Sequence, residues 1–331
     1  VGQLLTDLQA LAPGFLLTAI DQEGGRVTRL RPFYGFPEIA AAQDMGAKES
    51  TDSTPFYATQ NATNLKTLGF NVNFAPVVDL NVNPDNPVIG KIKRSYGATT
   101  DQVVRHAHAW ITPHATVGIL SVLKHFPGHG DTSTDSHLEL PRLDFGLDRL
   151  REVEWEPYRH AVKSGLDAVM SAHVIIEGLD SKLPATLSAK ALSYLRDELN
   201  FNGLLISDDL DMKAIADHYG AAESVRLGMN AGIDVFLSCR DTTIMNDAFE
   251  GLVKANEEKS ISNRRLIEAA DRATAWRNRW YREPVAMGEL ETLLSSTEHQ
   301  DLVEEFLKSA SKIGALFCDM LHCDSGLGIT A

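Results

Sequence analysis

The segment Lys124-His-Phe-Pro-Gly-His-Gly-Asp-Thr-Ser-Thr-Asp-Ser-His137 gathers a lysine, three histidines and two aspartates in one stretch. Such groups bind polar ligands or move protons near neutral pH. Within it, Asp135 and His137 suggest a carboxylate–imidazole dyad. A carboxylate on one ring nitrogen fixes the tautomer and stabilises the imidazolium, which leaves the other nitrogen to give or take a proton. The bare triplet also arises by chance, and a solvated polar loop has the same composition. A second candidate is Ser207-Asp208-Asp209-Leu210-Asp211-Met212. A carboxylate at the tip of a buried strand is costly unless it is a nucleophile, base or ligand. Capping of the following helix is the alternative, and both can hold, with Asp208 doing chemistry while Asp209 or Asp211 caps. The third is Asp21-Gln-Glu-Gly-Gly-Arg-Val-Thr-Arg29, where glycines permit close approach of the backbone to a ligand. It serves either to hold sugar hydroxyls or as a turn stapled by Asp21–Arg26 pairing.

Short apolar runs must carry these groups: 15–21, 72–80, 119–126, 168–176, 203–210 and 235–238. Their apolar residues are mostly continuous rather than alternating, as in strands covered on both faces. Helical segments separate them, for example 186–199, with apolar residues three and four apart. Sustained strand–helix alternation means a parallel sheet. Asp21, Asp79, Lys124 with His125, His173 and Asp208 each end a different predicted strand, so a TIM-type (β/α)8-like barrel is favoured over an open sheet. Closing such a barrel needs at least one more strand upstream of Phe15. Pro127, Gly128 and Gly130 break regular structure after a strand and leave the 124–137 loop free to move. No Gly-x-Gly-x-x-Gly turn or P-loop supports a nucleotide site.

The formal net charge of −14 argues against a nucleic-acid partner. Cys239, Cys318 and Cys323 are too few and too unevenly placed for a disulfide framework. No apolar run is long enough for a membrane span. After about residue 280 the strand–helix rhythm stops, which divides the chain into a barrel over 1–280 and a helical tail over 281–331.

Taken together, the three segments closely resemble family 3 glycoside hydrolases, in the β-N-acetylglucosaminidase branch acting on peptidoglycan fragments. Asn73 to Asp79, Ile89-Gly90 with Arg94-Ser-Tyr, and Ala172-His173 complete the series in the family's order. The resemblance implies a retaining mechanism without cofactor or metal. By carry-over, Asp208 is the nucleophile and His137, oriented by Asp135, is the general acid/base. Asp21, Arg29, Arg94, Lys124, His125 and His173 hold the terminal sugar. It also implies that the family's first barrel strand is absent, that the substrate is a small carbohydrate such as a muropeptide, and that the protein is a monomer of the bacterial cytoplasm or, alternatively, of the periplasm or cell envelope. The tail faintly resembles the opening of a second domain and is read as a helix packed on the barrel. Three rival readings are phosphorolysis on the same fold, a metal-dependent hydrolase using His125, His129, His173 and Asp208, and a non-catalytic protein whose barrel is incomplete.

Overall fold

The computed structural model describes residues 1–12, 15–48, 50–136 and 138–281. The chain alternates helix and strand: α1 (Gly2–Leu11), β1 (Ala19–Ile20), α2 (Ala42–Gly46), α3 (Ser53–Leu68), β2 (Val72–Asn73), α4 (Thr100–Val117), β3 (Leu120–Ser121) and β4 (Leu123–Phe126). It continues with β5 (Arg142–Leu143), α5 (Leu147–Arg149), α6 (Glu156–Lys163), β6 (Ala168–Ser171), β7 (Ile175–Ile176), α7 (Ala189–Ser193) and β8 (Leu204–Asp209). The last elements are α8 (Lys213–Ala216), α9 (Ala221–Ala231), β9 (Val235–Leu237), α10 (Thr242–Glu257) and α11 (Asn263–Trp280). The expected tail lies, apart from Tyr281, outside the described residues.

All strand pairs are parallel. The order is β1-β2-β3 in one sheet and β4-β6-β8-β9 in the next. Only Val122 separates β3 from β4, and a bridge from Val77 to Lys124 carries the pairing across. Apart from β5 and β7, which pair with each other in a two-stranded sheet of their own, the strands therefore follow one another in chain order, with helices crossing back between them. This is a TIM-barrel-like α/β fold. Among the described residues β1 and β9 are the two edges, with no ladder between them. The paired stretches are shorter than the apolar runs, since each run bends out of the sheet into the loop that carries its polar end.

Helix ends set the strand starts. Helices α3, α4 and α9 are closed by Gly69, Gly118 and Gly232, whose φ values of 94°, 90° and 121° are open to glycine at little cost. Each reverses the chain directly into β2, β3 or β9. Both faces of the sheet are buried, which accounts for the continuous apolar runs. Leu123, Val169 and Leu205 pack with Trp110, Trp155 and Tyr158 of the helix layer. The alternate positions Val122, Met170, Leu204 and Ile206 pack with Trp276 of α11, and Trp280 lies against them. A charge placed on either face would be stranded, so polar groups collect at the strand tips.

Candidate active site

At the C-terminal ends of the strands a cavity of about 480 Å³ is lined by Asp21, Arg29, Arg94, Lys124, His125, Asp135 and Asp208, among others. The third polar segment forms its floor. After β1 the chain turns at Gly24 and Gly25, with φ of 101° and 54°. A Cβ on Gly25 would lie 2.6 Å from that of Ala41, so the turn can press on the 39–41 segment only without side chains. Gln22 Oε1 accepts from the N–H groups of Arg29 and Leu30 at 2.7 and 3.0 Å, which closes the loop.

This turn delivers two carboxylates to one lysine. Lys124 Nζ lies 2.8 Å from Asp21 Oδ1 and 2.7 Å from Glu23 Oε1, with its side chain only 2% exposed. Arg94 donates both Nε and Nη2 to Glu23 at 2.8 Å, a bidentate pair of the strongest kind. Burial opposes the charge of Glu23, but Arg94 and Lys124 overcome it and hold its carboxyl at about 2. Burial likewise opposes Asp21, and Lys124, then Arg29 and Arg94, keep it below its ordinary range. Arg29 sits 3.6 Å from Asp21 with both side chains partly exposed, a weak contact. The expected alternative of an Asp21–Arg26 staple is not formed: Asp21 is engaged by Lys124 and Arg29, and Arg26 has no hydrogen bond or ion pair among the described residues.

The 124–137 segment is organised by Asp79. Its Oδ2 accepts from His125 N at 3.2 Å and from His125 Nδ1 at 2.7 Å, and its Oδ1 accepts from His129 N at 2.7 Å. Burial pushes the Asp79 carboxyl up against these donors. Burial, then Arg94, pushes the His125 imidazole well below its ordinary value. Its Nδ1 proton therefore points at Asp79, and Nε2 faces Arg94 Nη2 at 3.4 Å as an acceptor. The glycine-rich middle of the loop is pinned rather than free. His129 Nδ1 meets Thr132 Oγ1 at 2.8 Å, its Nε2 meets Ser136 Oγ at 3.1 Å, and Asn86 holds its carbonyl at 2.7 Å. Gly128 lies where a Cβ would meet Glu154 at 2.7 Å, so it gives close packing, not mobility.

Asp208 is the penultimate residue of β8 and opens on the cavity. Burial opposes its charge, but the imidazoles of His125 and His173, the Asp209 N–H and the Lys124 ammonium together hold its carboxyl below the ordinary 3.8. Asp209 accepts from the N–H groups of Asp211 and Cys239, and Asp211 from those of Arg240 and Asp241. These neighbours thus tie β8 to the loop after β9 rather than capping α8. Burial and the surrounding carboxylates push the cavity-lining Cys239 thiol up to about 12, which keeps it protonated.

His173 is brought to the same place but not to the cavity wall. Its Nε2 donates to the Asp209 carbonyl at 3.1 Å and its Nδ1 meets Thr186 Oγ1 at 2.9 Å, so it fixes the strand tip beside Asp208. Asp135 and Ser136 line the cavity, and the Asp135 carbonyl turns the chain by accepting from Leu138 and Glu139 N–H groups. His137 lies outside the described residues. The set His125, His129, His173 and Asp208 does not assemble as metal ligands: the ring nitrogens of His129 and His173 are committed to protein partners, and no such group occurs among the described residues. A larger cavity, about 690 Å³, lies on the helix side between α4 and α6, where the acid Asp167 is spent on Arg279 at 2.7 Å. None of the residues expected to do chemistry reaches it.

Of the groups at the heart of the site, Glu23 carried no assigned role in the sequence, and His129 was assigned only as a metal ligand in a rival reading. Glu23 was visible only as an acid near a strand end, and nothing local shows that Arg94 and Lys124 will meet on it.

Comparison with known proteins identifies what the chain is similar to. The glycosyl hydrolase family 3 N terminal domain matches residues 5–275. Beta-hexosaminidase A of Pseudoalteromonas piscicida is 31% identical over 89% of this chain and 52% of its own. A beta-hexosaminidase of Alkalilimnicola ehrlichii is 37% identical over 71% of this chain and 68% of its own. The solved family 3 beta-N-acetylglucosaminidase of a Paenibacillus species superposes with a TM-score of 0.84 at 36% identity, over 92% of this chain and 59% of its own. The chain thus spans about half the length of the first relative and about three fifths of the solved one.

Proposed function

The chain belongs to glycoside hydrolase family 3, and on that premise we propose that it is the catalytic barrel of a retaining exo-β-N-acetylglucosaminidase that removes terminal β-linked N-acetylglucosamine from peptidoglycan-derived fragments. The observation that carries the reading is Asp208, held ionised at a strand tip and facing a cavity shared with the Asp21–Lys124–Glu23–Arg94 network. The printed names of the relatives, beta-hexosaminidase and beta-N-acetylglucosaminidase, support the substrate class.

In this reading Asp208 attacks the anomeric carbon and forms a glycosyl-enzyme intermediate. His137, oriented by Asp135, protonates the departing oxygen, then takes a proton from the incoming water. An imidazole replaces the carboxylic acid usual in retaining enzymes. Asp21 and Arg94, with Lys124 between the carboxylates, hydrogen-bond ring hydroxyls through charged groups, and His125 Nε2 accepts from another. Because Lys124 and Glu23 are locked before substrate arrives, little reorganisation is required of the site.

The test is release of 4-nitrophenol from the β-N-acetylglucosaminide, with little from the β-glucoside. Transfer to methanol should give the β-methyl glycoside, and the α-anomer would rule out retention. Adding inorganic phosphate separates the rival: accumulation of sugar 1-phosphate in place of free sugar would replace hydrolysis by phosphorolysis.

A further inference from the structure

Gln22 sits in the chain between Asp21 and Glu23, the two carboxylates on Lys124, and a buried network that ends in α4 holds it. Its N–H donates to Asn73 Oδ1 at 3.1 Å. Its carbonyl accepts from Asn73 Nδ2 at 3.0 Å and from Asn61 Nδ2 at 2.7 Å. The N–H belongs to the peptide shared with Asp21 and the carbonyl to the peptide shared with Glu23, so this grip fixes the links to both acids. Asn73 ends β2 opposite Ile20, and its side chain extends the β1–β2 pairing beyond the ladder. Asn73 Nδ2 also meets His114 Nε2 at 3.2 Å, and His114 Nδ1 meets the Trp110 carbonyl at 2.9 Å. Gln22, Asn61, Asn73 and His114 are all buried, and none of them lines the cavity.

The direction of each bond is forced. A carbonyl only accepts, so the Trp110 bond puts the ring proton of His114 on Nδ1 and leaves Nε2 as an acceptor. Burial pushes the imidazole down to about 4, which keeps the ring neutral at neutral pH. An acceptor at Nε2 lets the Asn73 amide lie only one way round. Turned over, Asn73 Oδ1 would face the Nε2 lone pair and its NH₂ group would face the Gln22 N–H, and such mispairing is costly in a buried place. The other buried histidine of α4 offers a contrast. His106 Nδ1 meets Thr54 Oγ1 of α3 at 2.7 Å, and neither side chain bonds to residues 20–30 among the described residues.

We propose that His114 is a positioning residue for the sugar site: by fixing which way round the Asn73 amide lies, it holds the Gln22 peptide groups and keeps Asp21 and Glu23 together on Lys124. It touches neither the cavity nor the reacting atoms, so it acts on affinity for the terminal sugar rather than on the chemical step. The proposal rests on the glycosidase reading above and adds to it a residue outside the cavity.

Two amide substitutions separate the bonds that His114 makes. In His114→Asn the amide sits where Nδ1 does and reaches Trp110 but not Asn73. In His114→Gln it extends to the place of Nε2 and accepts from Asn73. On the 4-nitrophenyl β-N-acetylglucosaminide, His114→Asn should raise KM about tenfold and leave kcat within about threefold. Calorimetric binding of free N-acetylglucosamine should weaken by the same factor, and His114→Gln should recover most of both losses. Thr54→Val, which breaks the comparable buried pair between α3 and α4, should lower the melting temperature without moving KM. An unchanged KM in His114→Asn, no recovery in His114→Gln, or an equal KM rise in Thr54→Val would overturn the role while leaving the glycosidase intact. Nitrogen chemical shifts of the unsubstituted protein give a reading that holds whether or not the variants fold: His114 should be the neutral Nδ1–H tautomer, and an Nε2–H or charged ring at neutral pH would overturn the role. If the unsubstituted protein neither cleaves the glycoside nor binds N-acetylglucosamine, the glycosidase reading falls and the role with it.

Discussion

Glu23 and Asp234 are both buried acids ringed by cations, yet they lie at opposite ends of the sheet and serve different ends. Asp234, just before β9, has a fully buried side chain that meets Arg196 at 2.7 Å, Arg265 at 2.8 Å and Arg272 at 3.0 Å. Further donors there are spent on the chain itself, Arg196 on the Phe201 and Gly203 carbonyls and Arg265 on those of Met229 and Ile233, while Arg265 Nη1 is buried without a partner. The cluster staples the turns that enter β8 and β9. At the other end, Glu23 fixes Arg94 and Lys124, but the same lysine reaches Asp21, whose side chain is 37% exposed, and beyond it the cavity and Asp208. The same chemistry is closed at the N-terminal end and left open at the C-terminal end. What separates a staple from a site is where the surplus donors and acceptors point.

The largest expected effect breaks the open end without touching the closed one. Asp208→Ala should lower kcat by about 10⁴-fold or more. Retained turnover would sink the nucleophile assignment. The converse substitution, Asp234→Ala, leaves guanidinium groups uncompensated and should cost about 3–5 kcal/mol in denaturant unfolding. Turnover per folded molecule should stay within about twofold, and a large kcat loss in the folded fraction would erase the division of labour between the two ends.

His137→Ala should slow substrates with poor leaving groups by about 10²–10³-fold and activated ones far less; equal losses would remove it as the proton donor. The smallest effect concerns pH. Glu23 titrates at about 2 in the folded protein against an ordinary 4.5. It therefore contributes on the order of 3 kcal/mol above pH 4.5, a contribution lost as pH falls from 4.5 towards 2. Acid unfolding should be shallower over that window in Glu23→Gln. An identical slope would mean that the Arg94 and Lys124 pairs add no net stability. Asp208 titrates below 3.8, so it should not set an acid limb of kcat/KM above that pH.

The strand order, the parallel sheet and the face that carries the polar groups were legible in the sequence, because continuous apolar runs ending in charge leave few other arrangements. Asp21, Lys124, His125 and Asp208 meet at one cavity as their strand-end positions implied, and Asp135 joins them from the loop. Arg94 is placed there by its bidentate grip on Glu23, a residue far from it in sequence. The polar loop expected to move is instead fastened by His129 and Asp79, since whether a glycine confers freedom or close contact depends on what lies against it. His173 ends a strand like the others but serves its neighbour's carbonyl, a distinction that side-chain direction alone decides.

By itself, then, the sequence determined which residue types arrive at the strand tips, because apolar periodicity and local turn chemistry act over a few residues. Only the tertiary structure decided which of those tips share a carboxylate, which point into the chain, and which face a cavity. Those choices depend on contacts between segments brought together by the sheet, and no local pattern encodes the charge that a distant segment will bring.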